Sequence, residues 1–428
     1  MSVVLDREEV DTETSRPDDG LPGWPLLAML WGFPVFWALG LTVIAAAALA
    51  VVMLSYLAHY KNVVIVPGVL VLTAFLVWVV PTAVMIDSGP RMMGFVYRFV
   101  ILVVVVTAFV YAVSARSHIT RLSLVKGLTF LWFVTIVGGT LGLLFPEVRL
   151  STPVGMLLPH GLTSNPYVHD LFFPPLAEVQ NPPGSPAPFV RPSAPFPYAN
   201  SWGVALVLLT PVAVARFLTA RSWWLRGAIV AGAVLMVVPA MASSNRGMFA
   251  GLVVVAVYVV VRLALRDRAA PVITISVLGL IGAIALIGNG LLTQIATRQQ
   301  FGGSNDVRLG LYGETIQRTL RSPLLGYGAP RPSLVHEYSV GTQGYVWMLM
   351  FSFGFVGLGL FLWFLWGTTL RTWRAPGDVN LLLHSVLVAA CGLVMVYGLD
   401  IMQLLTIMLV AAMLLRERYL PGPVVDGG

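Results

Sequence analysis

The sequence predicts an all-α protein, a polytopic transmembrane helical bundle of about twelve spans. Two long extracytoplasmic loops are expected, one of them with an amphipathic helix. Three observations predict this. Of the 428 residues, 57% are apolar and 11% charged, against about 25% charged in a soluble domain. Mean hydropathy is +0.85. Apolar stretches near or above the roughly 17–25 residues that cross a bilayer recur along the chain, parted by short polar or Gly/Pro breaks. Soluble globular, disordered and fibrous classes are excluded.

The elements follow in order. Residues 1–20 hold seven acids and two arginines and no apolar run, so segment 1–22 reads as a disordered, solvated cytoplasmic tail without a signal peptide. Spans are expected at about 24–36, 38–58, 63–86, 94–115 and 124–145, in a first membrane unit, 23–145. A second unit, 200–290, holds spans at about 200–219, 227–243, 247–265 and 271–290. A third, 343–415, holds spans at about 343–369, 379–398 and 401–415, and 416–428 is the second cytoplasmic tail. The run from Trp24 to Ala58 is broken only by Gly32, Pro34 and Gly40, so one span plus a re-entrant piece also fits there. The single Cys391 lies in an apolar run, which leaves no intrachain disulfide and no cysteine metal site.

Arginine placement sets the orientation. There are 24 Arg and 2 Lys (Lys61 and Lys126). With both termini cytoplasmic, 16 of the 26 basic residues fall inside, including Arg116, Arg121, Arg262, Arg266, Arg268, Arg416 and Arg418. Ten remain outside or near the outer face: Arg91, Arg98, Arg149, Arg191, Arg246, Arg298, Arg308, Arg318, Arg321 and Arg331. Long translocated loops tolerate such residues; an anionic ligand on the outer side is the sharper explanation.

The first outer loop, 146–199, holds 13 of the 29 prolines. Proline removes amide donors and fixes φ, so an extended segment without regular sheet or helix is expected. It is a stiff lid or a binding loop. It ends in Arg191 and the run Tyr198-Ala-Asn200-Ser-Trp-Gly203. In the second, 291–342, Ser304-Asn-Asp306 reads as a helix N-cap. Leu309, Tyr312, Ile316 and Leu320 then recur at helical spacing, and Glu314 precedes Arg318 by four. This predicts an amphipathic helix over about 306–322 on the outer surface, ended by Pro323, with Arg308, Arg318 and Arg321 off its apolar face.

A charge inside a span costs about 2.5–3.5 kcal/mol on insertion scales, and this chain has almost none. No carboxylate series crosses the membrane, which argues against an ion-coupled transporter. Arg246, in Ser243-Ser-Asn-Arg-Gly247, is confined between two spans at the outer face. It is either an interfacial anchor on lipid phosphate or a fixed guanidinium gripping a diphosphate. Arginine suits the second role, because its planar fork bonds phosphate oxygens in pairs and stays charged. His59, His118 and His384 read as structural, and His160 and His169 lack ligand spacing. No metal site, cofactor motif or catalytic triad stands in a persuasive context.

Four motifs resemble the O-antigen ligase family, which also takes in O-antigen-polymerase-like proteins. They are Tyr198-Ala-Asn200-Ser-Trp-Gly203, Ser244-Asn-Arg246-Gly247, Arg308 with Pro323-Leu-Leu-Gly326-Tyr-Gly328, and Gln343-Gly344 followed nine residues on by Gly354-Phe-Val-Gly357. The similarity covers about 190–370. It implies a metal-independent membrane glycosyltransferase of GT-C type without cofactor. Such an enzyme moves a glycan from a polyprenyl-diphosphate carrier to an acceptor hydroxyl on a lipid or glycan, in the cytoplasmic membrane of a bacterium. The position matching the family's histidine is Gln343, whose amide cannot act as a base, so His336 and Glu337 become the candidates for that role. Arg246 and Arg308 are expected to clamp the diphosphate, with Arg191 and Arg298 assisting and Asn200 at the substrate. Membrane lipids are expected partners, and nucleic acid is not. A lipid-linked glycan flippase or exporter is the alternative; it would need a charged path through the spans.

Overall fold

The computed structural model describes residues 20–420 apart from 62, 160, 162–165, 183, 186, 303 and 337. The expected disordered tail, most of the last segment, His160 and Glu337 thus lie outside the described residues.

The chain is a polytopic all-α membrane protein. Among the described residues, nine helices are long and apolar enough to cross a membrane: Thr42–Tyr60, Gly89–Ser114, Arg121–Leu144, Ala199–Thr219, Trp223–Ser243, Arg246–Ala264, Ala269–Gly288, Tyr345–Arg371 and Asp378–Val396. Apolar helix also fills the three other expected positions, in less regular form. Trp24–Trp31 and Phe33–Leu39 are two short helices broken at Gly32. Val69–Val79 runs into a 3-10 turn, Val80–Met85, where Pro81 cannot donate to the helical ladder. Ile401–Tyr419 carries Arg416, Glu417 and Arg418 in its last turn.

Ile401–Tyr419 is the centre of the bundle: every residue from Ile401 to Leu415 is buried. Around it pack Gly89–Ser114, Asp378–Val396 and Ala199–Thr219. Ala269–Gly288 lies at the rim along Arg246–Ala264 and buries none of its residues. A bilayer solvates such a helix, since lipid tails are as apolar as its leucines and isoleucines.

Both long loops depart from expectation. The proline-rich segment is not devoid of regular structure. It forms the short helices Pro153–Leu157 and Pro166–Phe172 and an antiparallel hairpin, Ala177–Gln180 with Phe189–Pro192. The prolines permit this by position: Pro153 and Pro166 open helices, where no amide donor is needed, and Pro182 and Pro188 sit outside the paired residues.

The second loop holds two helices, Leu291–Gly302 and Ser304–Thr319, so Ser304 already lies inside the helix that was expected to begin at 306. The buried face of this helix is Leu311, Thr315 and Thr319, with Leu311 packed beside Val340 and Phe351. Of the expected apolar stripe, Leu309, Ile316 and Leu320 are exposed, whereas Tyr312 is half-buried and stacks on Trp347. The helix exposes most of its apolar stripe and fits protein with its other side, and of the packed residues the sequence pattern registers only Tyr312.

A break in the Tyr345–Arg371 helix seats the end of this loop. Gly354 leaves helical geometry at φ 68°, ψ −174°, a region open essentially to glycine. The freed carbonyls of Phe351 and Ser352 accept from Tyr327 N (2.8 Å) and Gly328 N (2.7 Å), and Phe355 N donates to Pro323 O (2.8 Å). The Pro323–Gly328 motif and the Gly354 motif are two halves of one joint.

Candidate active site

At the end of the bundle that carries the two long loops is a cavity of about 1240 Å³. Much of its polar wall is drawn from five stretches. The hairpin supplies Glu178 and Arg191, the start of Ala199–Thr219 supplies Asn200 and Ser201, and the turn between two spans supplies Ser244, Asn245 and Arg246. Ser304–Thr319 supplies Arg308, and the segment before Ile401–Tyr419 supplies Tyr397 and Asp400. Ile101, Leu102, Ala250, Met348 and Leu404, from four helices, line the apolar part.

Arg191 is buried, with 3% of its surface exposed, and all three nitrogens are engaged. Nε donates to Ser243 O (3.0 Å), Nη1 to Glu178 Oε2 (2.9 Å) and Nη2 to Asn200 Oδ1 (3.0 Å). Burial pushes its pKa down and the Glu178 carboxylate opposes this. Glu178 Oε1 also accepts from Ala199 N (3.1 Å), so the ion pair locks the hairpin onto the start of the next span.

Arg246 is fixed by the tightness of its turn. Ser244 ends the preceding helix in left-handed geometry (φ 46°), and Asn245 caps the next, accepting from Met248 N (3.2 Å). Arg246 is therefore the first residue of its helix, at the positive end of the helix dipole. Gly247 has no room for a side chain, because a Cβ there would collide with the Tyr397 hydroxyl. Tyr397 donates to Asn245 Oδ1, and the charges of Arg308, Arg191 and Arg246 all act on it. Three guanidiniums from separate stretches thus line the same cavity as this phenol. Among the described residues no hydrogen bond or ion pair engages Arg308.

The other arginines expected on the outer side divide from these. Arg91 donates to the carbonyls of Tyr327 (2.6 Å) and Ala329 (2.9 Å), Arg149 pairs with Asp170 (2.7 Å), Arg318 with Glu314 (3.0 Å) and Arg331 with Asp87 (2.8 Å). These staple loops. Arg98 lines the cavity from about two and a half turns into the Gly89–Ser114 helix. Arg298 lies on Leu291–Gly302, and its side chain is outside the description.

Of the remaining expected site residues, Gln343 lines the cavity, its carbonyl accepting from Tyr312 Oη (3.1 Å). His336 does not: its ring packs beside Gly310. Asp400, which is not among the expected site residues, also lines the cavity. This residue caps Ile401–Tyr419 in a capping box with Gln403, yet its Oδ2 is buried without a hydrogen-bond partner among the described residues. Burial pushes this carboxyl above the usual range. The signal in sequence was a lone acid between two apolar runs, Gly398-Leu-Asp400.

The O-antigen ligase family model matches residues 231–348. No curated protein and no solved structure matches the chain. The matched segment contains Arg246, Arg308 and Gln343, whereas Arg191, Tyr397 and Asp400 lie outside it. The chain thus carries an O-antigen ligase-like segment, that of a glycan-transferring membrane enzyme of cell-envelope polysaccharide assembly.

Proposed function

We propose that the chain is a metal-independent glycosyltransferase of the bacterial cytoplasmic membrane, with both termini in the cytoplasm. It transfers or polymerises a glycan from a polyprenyl-diphosphate carrier onto an acceptor hydroxyl at the outer face. The observation that carries this reading is the meeting of Arg191, Arg246 and Arg308 at one cavity that also has an apolar wall between spans. A polyprenyl diphosphate has these two chemistries, an anion joined to an apolar chain.

In this reading Arg246 and Arg308 grip the diphosphate, and Arg191, tied to Glu178, holds the wall. The acceptor oxygen bonds the anomeric carbon as the bond from that carbon to the diphosphate oxygen breaks. The electron pair stays on the diphosphate, where preorganised guanidiniums stabilise the growing charge. The acceptor proton passes to Asp400. His336 is poorly placed for that step, being packed on Gly310, and Glu337 lies outside the described residues.

The test is an incubation of purified protein with a polyprenyl-diphosphate glycan and an acceptor glycan in the presence of EDTA. Release of free polyprenyl diphosphate together with a ligated or lengthened glycan is expected. Intact carrier after incubation with folded protein, or a strict need for a divalent metal, overturns the reading.

A further inference from the structure

One cation in the cavity wall comes from a helix that carries none of the other arginines there. Arg98 belongs to Gly89–Ser114, a helix whose start Arg91 ties to the second loop. At 1.5 Å per residue its backbone lies about 13 Å in from that end. An arginine so far inside a span is costly to insert, and such residues mark ligand or ion paths.

The helix shows which way Arg98 faces. Successive residues turn by about 100°. Tyr97, Arg98, Ile101 and Leu102 line the cavity and fall within one arc of about 140°. Met92, Met93 and Val96 are exposed and fall on the opposite side. Arg98 thus stands inside the cavity arc and turned away from the open side of the helix. Its side chain runs back toward the helix start, as helical side chains do, and Nη1 donates to Gly94 O (3.0 Å). Gly94 leaves that arm its place, since a Cβ there would stand 3.1 Å from Nη1. The residue is half-exposed, and Nε and Nη2 are accessible and have no partner among the described residues.

No carboxylate answers this charge. Four arginines and two carboxylates line the cavity among the described residues. Glu178 is committed to Arg191, and Asp400 caps Ile401–Tyr419. Arg98 also marks a boundary, because Ile101 and Leu102, one turn deeper on the same helix, belong to the apolar wall.

We propose that Arg98 is a further binding residue of the site and takes the phosphate that is joined directly to the lipid chain of the donor. The inference rests on the diphosphate reading above. In a polyprenyl diphosphate this phosphate is the point where anion becomes hydrocarbon, and Arg98 stands where the cavity wall changes in the same way. Arg98 lies outside the matched family segment. A phospholipid headgroup offers the same chemistry, a phosphate on an apolar chain, so the test separates the two sources.

The full chain is placed in phosphatidylcholine nanodiscs, and Arg98→Gln and Arg98→Lys are compared with the parent. Thermal unfolding, calorimetric affinity for geranylgeranyl monophosphate and diphosphate, and KM for the glycan donor are read for each. Arg98→Gln is expected to weaken both prenyl ligands by about 10–100-fold and to raise the donor KM. Its unfolding temperature is expected to equal or exceed that of the parent, because a charge leaves the span and no ion pair is lost. Arg98→Lys keeps the charge without the planar fork and is expected to bind both ligands with intermediate affinity. Parent-like affinity for the monophosphate in every folded Arg98 variant overturns the inference. If, in addition, phosphatidylglycerol in the nanodisc stabilises the parent and not Arg98→Gln, the residue serves a membrane lipid instead. Arg246→Ala is the control, expected to weaken the diphosphate far more than the monophosphate. If it binds the diphosphate like the parent, or the parent itself binds none, the diphosphate reading fails. If Arg246→Ala loses binding while the Arg98 variants do not, only this inference fails.

Discussion

Arg191 and Glu178 face each other across the hairpin register of the first loop, with Nη1 2.9 Å from Oε2. The guanidinium is almost fully buried, so its charge depends on that one carboxylate. Removing one partner of a fully buried pair costs about 3–5 kcal/mol. Glu178 keeps 19% of its side-chain surface, so Glu178→Ala is expected to cost less, on the order of 2 kcal/mol. The check is thermal unfolding in detergent; an unchanged midpoint contradicts the role given to this pair.

Arg246→Lys is expected to abolish glycan transfer in a protein that still inserts and folds. Lysine offers a point charge without the planar fork, and the tight Ser244-Asn245 turn leaves the chain no freedom to bring it closer. Near-normal turnover in this variant refutes the clamp.

Asp400 should leave a signature in the pH profile. Burial raises its carboxyl above the usual range. Below that raised value the group is protonated and cannot take a proton; above it the carboxylate is competent. The transfer rate is therefore expected to climb with pH through a limb displaced upward from ordinary carboxylates. Asp400→Asn should remove the limb and slow transfer by about 10²–10⁴-fold. A parent-like profile in that variant rules Asp400 out as the base.

Gly354→Ala tests the joint between the second loop and the broken helix. Its backbone geometry is open essentially to glycine, and a Cβ would collide with the Leu324 carbonyl. The strain alone is about 1–3 kcal/mol. Earlier cleavage of the 320–342 segment by protease and a lower unfolding temperature are expected, together with lost transfer, because Arg308 sits on the helix this joint anchors. Parent-like protease resistance contradicts it.

The spans were legible because hydrophobic length is a property of consecutive residues. The fine structure of the loops was not. Proline content spoke for an irregular segment, yet Ala177–Gln180 and Phe189–Pro192 pair, since Pro182 and Pro188 lie outside the ladder and Pro192 stands at its last position. On Ser304–Thr319 the exposed stripe of Leu309, Ile316 and Leu320 outweighed the quieter face of Leu311, Thr315 and Thr319, which is the one packed on protein.

By itself the sequence determined the membrane class and the positions of the apolar helices, and it raised the expectation that ten arginines face outward. Only the tertiary structure sorted them. Arg149 and Arg318 pair within their own loops and Arg91 and Arg331 tie the second loop to the start of the Gly89–Ser114 helix, while Arg191, Arg246 and Arg308 line one cavity. It also brought Asp400 to the cavity and set His336 against Gly310. A guanidinium carries the same charge in every context. Whether it meets a carboxylate, a carbonyl or an open cavity depends on segments far apart in the chain, and no local pattern records that encounter.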